Sequence, residues 1–310
     1  MELFSIVLII LGLSLFEIII SVDNAIINAQ VLHTMSKRAR RWFLIWGILI
    51  AVFLVRGLLP WLIVWANNPS LGPIEAFTAS FSSDPGIARV IEESAPVLLI
   101  VVGIFLIFLF FHWLFLEPKH YGLIGERFIE KQGVWFYAIV SVLLTAIVWF
   151  AMDKNPLMAL SAVIGSTAFF ITHGFKQNAE QAEKRMLEGS QGMSDMSKIF
   201  YLEVIDATFS IDGVLGAFAF TLSIPLILIG NGIGALVVRQ LTISNIENVV
   251  KYKYLKNGAM YSIFVLGLIM LADSFGMHIP AWLSPTVTFA IIGYFFYKSI
   301  REIKKEPTQS

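Results

Sequence analysis

The sequence predicts an all-α polytopic membrane protein of about nine transmembrane helices, and three observations predict it. Of the 310 residues 57% are hydrophobic and only 14% are charged, with a mean hydropathy of +0.77, far from the balance of a water-soluble domain. Nine apolar windows meet or approach the roughly 20 residues that a bilayer core of about 30 Å asks of a helix. Tight turn signals separate several of them: "NNPS" at 67–70, "DKNP" at 153–156, "SIP" at 223–225 and "SP" at 284–285.

The windows lie near 4–32, 42–66, 95–116, 134–152, 157–175, 198–223, 226–249, 256–275 and 281–300. The start "MELFSIVLII" has no basic stretch ahead of a long apolar run, so the first segment is expected to be a retained helix and not a signal peptide. Between windows, 67–94 reads as a connector on the outside, with an interfacial helix or lid as the less favoured reading. Segment 176–197, "KQNAEQAEKRMLEGSQGMSDMS", reads as a solvated helix followed by a Gly/Ser linker that divides the chain in two.

Charge fixes an expected orientation. The 22 basic and 22 acidic residues cancel, so no basic surface argues for nucleic acid as a partner. With the N-terminus outside, nine spans place 18 of the 22 Lys and Arg on the cytoplasmic side and leave Arg89 and Lys154 outside and Arg56 and Arg239 within spans. That asymmetry is the positive-inside pattern of a multi-pass protein of the inner membrane, with a cytoplasmic C-terminus. The absence of cysteine excludes disulfides, thiolate metal sites and thiol catalysis.

The first window holds an anomaly, "FEIIISVDNA" at 16–25, with two carboxylates in an apolar run. It aligns without a gap on "IDATFSIDGV" at 205–214: Glu17 on Asp206, Ser21 on Ser210, Asp23 on Asp212. A second match follows each copy, "IAVFLVRG" at 50–57 and "IGALVVRQ" at 233–240, which share the arginines Arg56 and Arg239. Under the expected topology the first copy runs inward and the second outward, so helices 1–3 and 6–8 are read as inverted repeats, 1–116 and 198–275. Such repeats meet at a midplane binding site in many secondary transporters.

Helical spacing puts Glu17, Ser21, Asn24 and Asn28 on one stripe and Glu203, Asp206, Ser210 and Gly213 on another. Asp23 and Asp212 lie about a third of a turn off those stripes. A break at Asp23–Asn24 and at Asp212–Gly213 is expected to swing them back and to free carbonyl oxygens.

"FEIIISVDNA" resembles the first signature of the TerC family, "LEVIDATFSIDGVLGAFAFT" resembles its second, and "WGILIAVFLVRG" at 46–57 is similar to its second-helix pattern. The chain as a whole is most similar to the DUF475 branch, within the LysE-like transporter superfamily. Gly213, where the family usually has Ser, and the long 67–94 segment depart from the pattern. The resemblance implies an inner-membrane protein linked by name to tellurite resistance and, in other branches, to manganese export.

An ionisable residue at the bilayer centre costs about 2.5–3.5 kcal/mol on insertion scales, so the acids require compensation. Glu17, Asp23, Glu203, Asp206 and Asp212 outnumber Arg56 and Arg239 by three charges, an excess a cation or protons would relieve. The expected metal ligands are Glu17, Asp23, Asn24, Glu203, Asp206 and Asp212, supported by Ser21, Asn28, Ser210, Arg56 and Arg239. All are oxygen donors apart from the arginines, which favours Mn²⁺, with Ca²⁺ or Mg²⁺ as alternatives, over soft metals. Tellurite, an anion, would be repelled.

The expected function is divalent cation transport by alternating access, Mn²⁺ export in direction, coupled to protons through the surplus acids. The metal is substrate; no organic cofactor and no enzymatic activity are expected, and partners are the ion, the bilayer and, in a homo-oligomer, further copies of the chain. A membrane-embedded metal-binding scaffold of the tellurite or metal stress response is the alternative, and an intramembrane aspartyl hydrolase is weaker because no gate or protease signature accompanies it. His112 and His173 read as satisfied interfacial histidines, Asn231 as an extension of the site, and "GNGIGA" at 230–235 as a close-packing stretch.

Overall fold

The computed structural model describes residues 3–47, 50, 56–68, 72–78, 85–189, 193–244, 249 and 251–305, and among them every regular element is helical. The first apolar window is two helices, α1 (Leu3–Ile20) and α2 (Val22–His33), joined at Ser21. The path stays hydrogen-bonded across the joint, with Ser21 N on Glu17 O at 3.1 Å and Ala25 N on Ser21 O at 2.9 Å. It is a bend in one rod, and it lies two residues before the expected break at Asp23.

After a turn in which Ser36 accepts from Ala39 N, α3 (Lys37–Trp42) runs into a π-helical turn at Phe43–Gly47. The helix α4 (Arg56–Asn67) continues past Pro60. The expected 67–94 connector contains a short helix, α5 (Pro73–Thr78), and the first turns of α6 (Pro85–Leu116), which begins ten residues earlier than the apolar window. Next come α7 (Glu126–Glu130), a 3-10 turn at Gly133–Trp135, α8 (Phe136–Lys154) and α9 (Pro156–Gly189). The helix α9 continues through the polar segment as far as Gly189. The second half holds α10 (Asp195–Ala217), α11 (Ile224–Ser244), α12 (Leu255–Ser274) and α13 (Leu283–Ile303).

Among the described residues six stretches are long and apolar enough to cross a bilayer: Leu3–Ile20, Glu93–Leu116, Gly133–Lys154, Pro156–Asn178, Ile224–Thr242 and Leu255–Ser274. α10 and α13 match them in length, at 23 and 21 residues, but α10 carries acids along its length and α13 hydroxyls, tyrosines and a basic end.

Burial makes α6 the mast of the fold: 83% of its apolar window is buried, against 22% for that of α8. Glycines let its neighbours approach. A Cβ at Gly165 of α9 would collide with the Val101 carbonyl oxygen of α6, and one at Gly103 of α6 would sit 3.2 Å from Gly267 O of α12. Phe105 and Phe108 pack edge-on against Phe169 of α9 at 5.9 and 5.8 Å, which fills the α6–α9 seam. The outer face of α8 leaves Val142, Trp149 and Phe150 exposed. A spanning helix turns such a face to lipid.

A buried carboxylate fastens the 117–135 connector. Glu126 accepts from Gly122 N at 2.6 Å, Leu123 N at 3.0 Å, the Asn257 amide at 3.3 Å and the Tyr261 hydroxyl at 2.8 Å. Lys298 of α13 donates to Gly122 O. One acid thereby ties the connector to the neighbouring helix α12, and the connector is tied in turn to α13.

Candidate functional site

The α1–α2 rod lies between α10 and α11. Leu13 meets Gly230, and Glu17 meets Gly234, so α11 runs beside α1 in the same direction. A Cβ at Gly234 would stand 2.6 Å from Glu17 Cβ and 2.9 Å from Ser14 O. The missing side chain is what admits Glu17 to the seam. Ser14 Oγ donates to Ile10 O at 2.8 Å and across the seam to Gly230 O at 3.0 Å.

α10 runs the opposite way. Phe16 packs on Gly216, Glu17 Oε2 lies 3.2 Å from the place of a Cβ at Gly213, and the Asn24 amide donates to the Asp206 carboxylate. Glu17, 1% exposed, accepts from Ser21 Oγ at 2.6 Å. Ser210 Oγ turns back to Asp206 O at 2.7 Å.

These contacts come in pairs that exchange the two matching segments. Glu17 and Asp206 hold one position of the aligned decapeptides, and Asn24 and Gly213 hold another. Glu17 against Gly213 and Asp206 against Asn24 are therefore one contact made twice. Two residues upstream of each decapeptide stand Ser14 and Glu203, and three residues upstream of the arginine segments stand Gly47 and Gly230. Ser14 reaches Gly230, and the Glu203 carboxylate fills the space where a side chain at Gly47 would go. The α6–α12 crossing behaves alike: Gly103 faces Leu271 and Gly267 faces Ile107, with each glycine against the other's carbonyl.

Of the expected ligands, Glu17, Asn24, Glu203 and Asp206 are thus brought to the seams around the Ser21 joint, with Ser21 and Ser210. Several oxygens there have no hydrogen-bond partner among the described residues: Asn24 Oδ1, Asn28 Oδ1 and Glu203 Oε1. Asn231 of α11, 1% exposed, has neither amide atom partnered among the described residues. Arg239 stands half-buried on α11. The side chains of Asp23 and Arg56 lie outside the described residues. Among those described, no three acids or histidines converge as a ready metal cluster.

Asp212 departs from expectation. α10 continues through Gly213, which keeps a negative φ, so no break swings Asp212 toward Asp206, six residues away. It remains about a third of a turn off that stripe and pairs with Lys176 of α9 at 3.5 Å. It belongs to a second polar network. His112 and His173 approach with ring centroids 3.9 Å apart, His112 Nδ1 lies 3.4 Å from Glu117 Oε1, and Lys256 lies 3.3 Å from Glu117 Oε2. Sequence reading missed Glu117 and Lys176. Their signal was a charge placed immediately past an apolar window or at its end.

Long apolar helices crossing at glycines, with acids buried between them, define a polytopic all-α membrane protein. The chain belongs to the DUF475 family, described as "Protein of unknown function (DUF475)", which it matches over residues 22–306. No curated protein and no solved structure matches it.

Proposed function

We propose that the protein carries divalent metal cations across the membrane by alternating access, with Mn²⁺ the favoured cargo. The observation that carries this reading is the set of buried oxygens at the Ser21 joint, Asn24 Oδ1, Asn28 Oδ1 and Glu203 Oε1, that no described donor satisfies, beside the acids Glu17 and Asp206. Buried polar atoms are almost always satisfied, and an all-oxygen donor set suits a hard divalent ion.

The exchanged contacts support reading 1–116 and 198–275 as inverted repeats, and the relative directions support alternating spans: α11 parallel to α1, α10 antiparallel to it. Lys119 of the 117–135 connector, Lys256 in the first turn of α12 and Lys298 of α13 gather at Glu117 and Gly122, with Lys176 of α9 on Asp212, in keeping with a basic cytoplasmic end, an outside N-terminus and an inner-membrane location. Export follows the resemblance to the TerC family, and proton coupling follows the surplus of acids.

The Ser21 joint supplies the motion. In the described geometry each acid is occupied, Glu17 by Ser21 and Asp206 by Asn24. Bending at the joint moves Asn24 off Asp206 and lets both carboxylates turn to a cation at the seam. A metal-binding scaffold, in which the same acids hold a structural cation, is the second reading.

Purified protein in proteoliposomes decides. Transport predicts uptake of Mn²⁺ by wild type, with counter-movement of protons, and its loss in Glu17→Gln and Asp206→Asn variants that still melt cooperatively. Metal binding without flux in wild type establishes the scaffold instead, and neither binding nor flux refutes both.

A further inference from the structure

A cavity of about 440 Å³ lies between the N-terminus of α12, the turn after α6 and the α1–α2 rod. Among the described residues that line it, three are lysines, Lys119, Lys253 and Lys256, and none is acidic. Its other wall is apolar: Ile19, Val22 and Ile26 of α1 and α2. A cavity with a cationic end and an aliphatic end, at the boundary of a membrane helix bundle, fits an amphiphile with a negative head.

The positive end is held in place by surrounding groups. Lys119, with a side chain 1% exposed, donates to Trp113 O and Glu117 O at 2.8 Å each. Its acid neighbour Glu130 is 3.8 Å away, while Glu302 stands 3.5 Å from Lys253 and Glu117 3.3 Å from Lys256. All three acids sit outside the lining, at more than the 2.7–2.9 Å or so of a close charge-assisted hydrogen bond.

The helix end adds to the field. Tyr254, the N-cap of α12, makes no side-chain cap, and Lys256 stands in the first turn, where the helix dipole disfavours a cation. Burial also disfavours the charged form of Lys119. Three ammonium groups thus line one end of the cavity beside the start of α12. The same charge would repel a divalent cation, which separates this cavity from the seam containing Glu17 and Asp206.

We propose that this cavity binds a phosphate group, that of an anionic phospholipid, with Lys253 and Lys256 on the headgroup and Ile19, Val22 and Ile26 against the first acyl carbons. The experiment is native mass spectrometry with thermal shift on the full chain in detergent, titrated with phosphatidylglycerol, phosphatidylcholine or inorganic phosphate. Wild type is expected to retain phosphatidylglycerol and to melt higher with it than with phosphatidylcholine. Lys253→Gln with Lys256→Gln weakens phosphatidylglycerol binding by about thirtyfold, about fivefold per lysine, and the paired Arg substitutions keep it. If the double Gln variant does not fold, Lys253→Gln alone is read for its fivefold loss. A shift with inorganic phosphate that the Gln variant loses assigns the same site to a soluble phosphate compound. Equal retention of the two lipids with no response to phosphate, or phosphatidylglycerol binding unchanged by the Gln substitutions, overturns the proposal.

Discussion

The side-chain amide of Asn24 donates to the carboxylate of Asp206 across the meeting of α2 and α10. With the two decapeptides exchanged, the same position brings the carboxylate of Glu17 to Gly213. The two halves are thus chemically unequal where they are geometrically alike: one acid faces an amide, and the other faces a glycine and accepts from Ser21 on its own rod. An amide satisfies a carboxylate without neutralising it.

Asn24→Ala is expected to lower thermal stability by about 1 kcal/mol, because the half-buried Asp206 carboxylate loses a donor. Asn24→Asp places a second carboxylate against Asp206 and destabilises further without metal. Added Mn²⁺ should then raise the melting temperature of Asn24→Asp by more than it raises that of wild type. A melt series with and without metal checks this, and equal shifts would count against a cation beside Asp206.

The seam between α1 and α11 depends on absent side chains. A Cβ at Gly234 would lie 2.6 and 2.7 Å from Glu17 Cβ and Cγ, so Gly234→Ala should cost about 1–3 kcal/mol through forced separation of the helices. Gly174 of α9 has nothing within 4 Å of its would-be Cβ. Gly174→Ala should therefore be neutral or stabilising by up to about 1 kcal/mol. Thermal melts of the two alanine variants in one detergent make the comparison.

Much of this was legible in the residues, for identifiable reasons. Buried acids repeated at one spacing announced the seams, because few forces other than function keep Glu17 and Asp206 in apolar helices. Apolar length gave α6, α8, α9 and α12. The direction of Asp212 was not legible, since it turns on whether α10 continues through Gly213, and glycine permits either outcome. The correspondence of Ser14 with Glu203 was hidden because a hydroxyl and a carboxylate share no residue identity. Only the glycines they face, Gly230 and Gly47, reveal the match. Likewise Glu117 and Lys176 are nearly sixty positions apart, and folding alone brings them together.

Glu126 tests the anchoring of the connector. Replacing it by Ala leaves two backbone amides and the Tyr261 hydroxyl without their acceptor and the Asn257 amide with His120 O alone. Loss of a buried, multiply bonded carboxylate is expected to cost about 3 kcal/mol or more. Glu126→Gln keeps one oxygen acceptor and should fall between wild type and Ala. Limited proteolysis of residues 117–135 is the direct readout, with cleavage rising in the order wild type, Gln, Ala.

The Glu117 network should give stability an acid limb. Burial pushes the Glu117 carboxyl up, but the contact with His112 and the charges of Lys256 and Lys176 outweigh it and hold the group well below the usual carboxylate range. His173, near His112, and Asp212, paired with Lys176, complete the polar surroundings. A carboxyl depressed in the folded state contributes stability that is fully present above its unfolded pKa, about 4.3, and that drains away as pH falls toward the lower folded value. Wild type should therefore lose stability on acidification below about pH 4.5 with one proton more in its slope than Glu117→Gln. The variant should be less stable by about 2 kcal/mol at pH 7 and converge on wild type as the pH falls. Melting curves from pH 7 to about pH 2.5 cover the plateau and the loss. Parallel curves at every pH would mean that Glu117 is not held as an anion by His112, Lys176 and Lys256, and the polar network would then be no more than a chance approach of side chains at the ends of α6, α9 and α12.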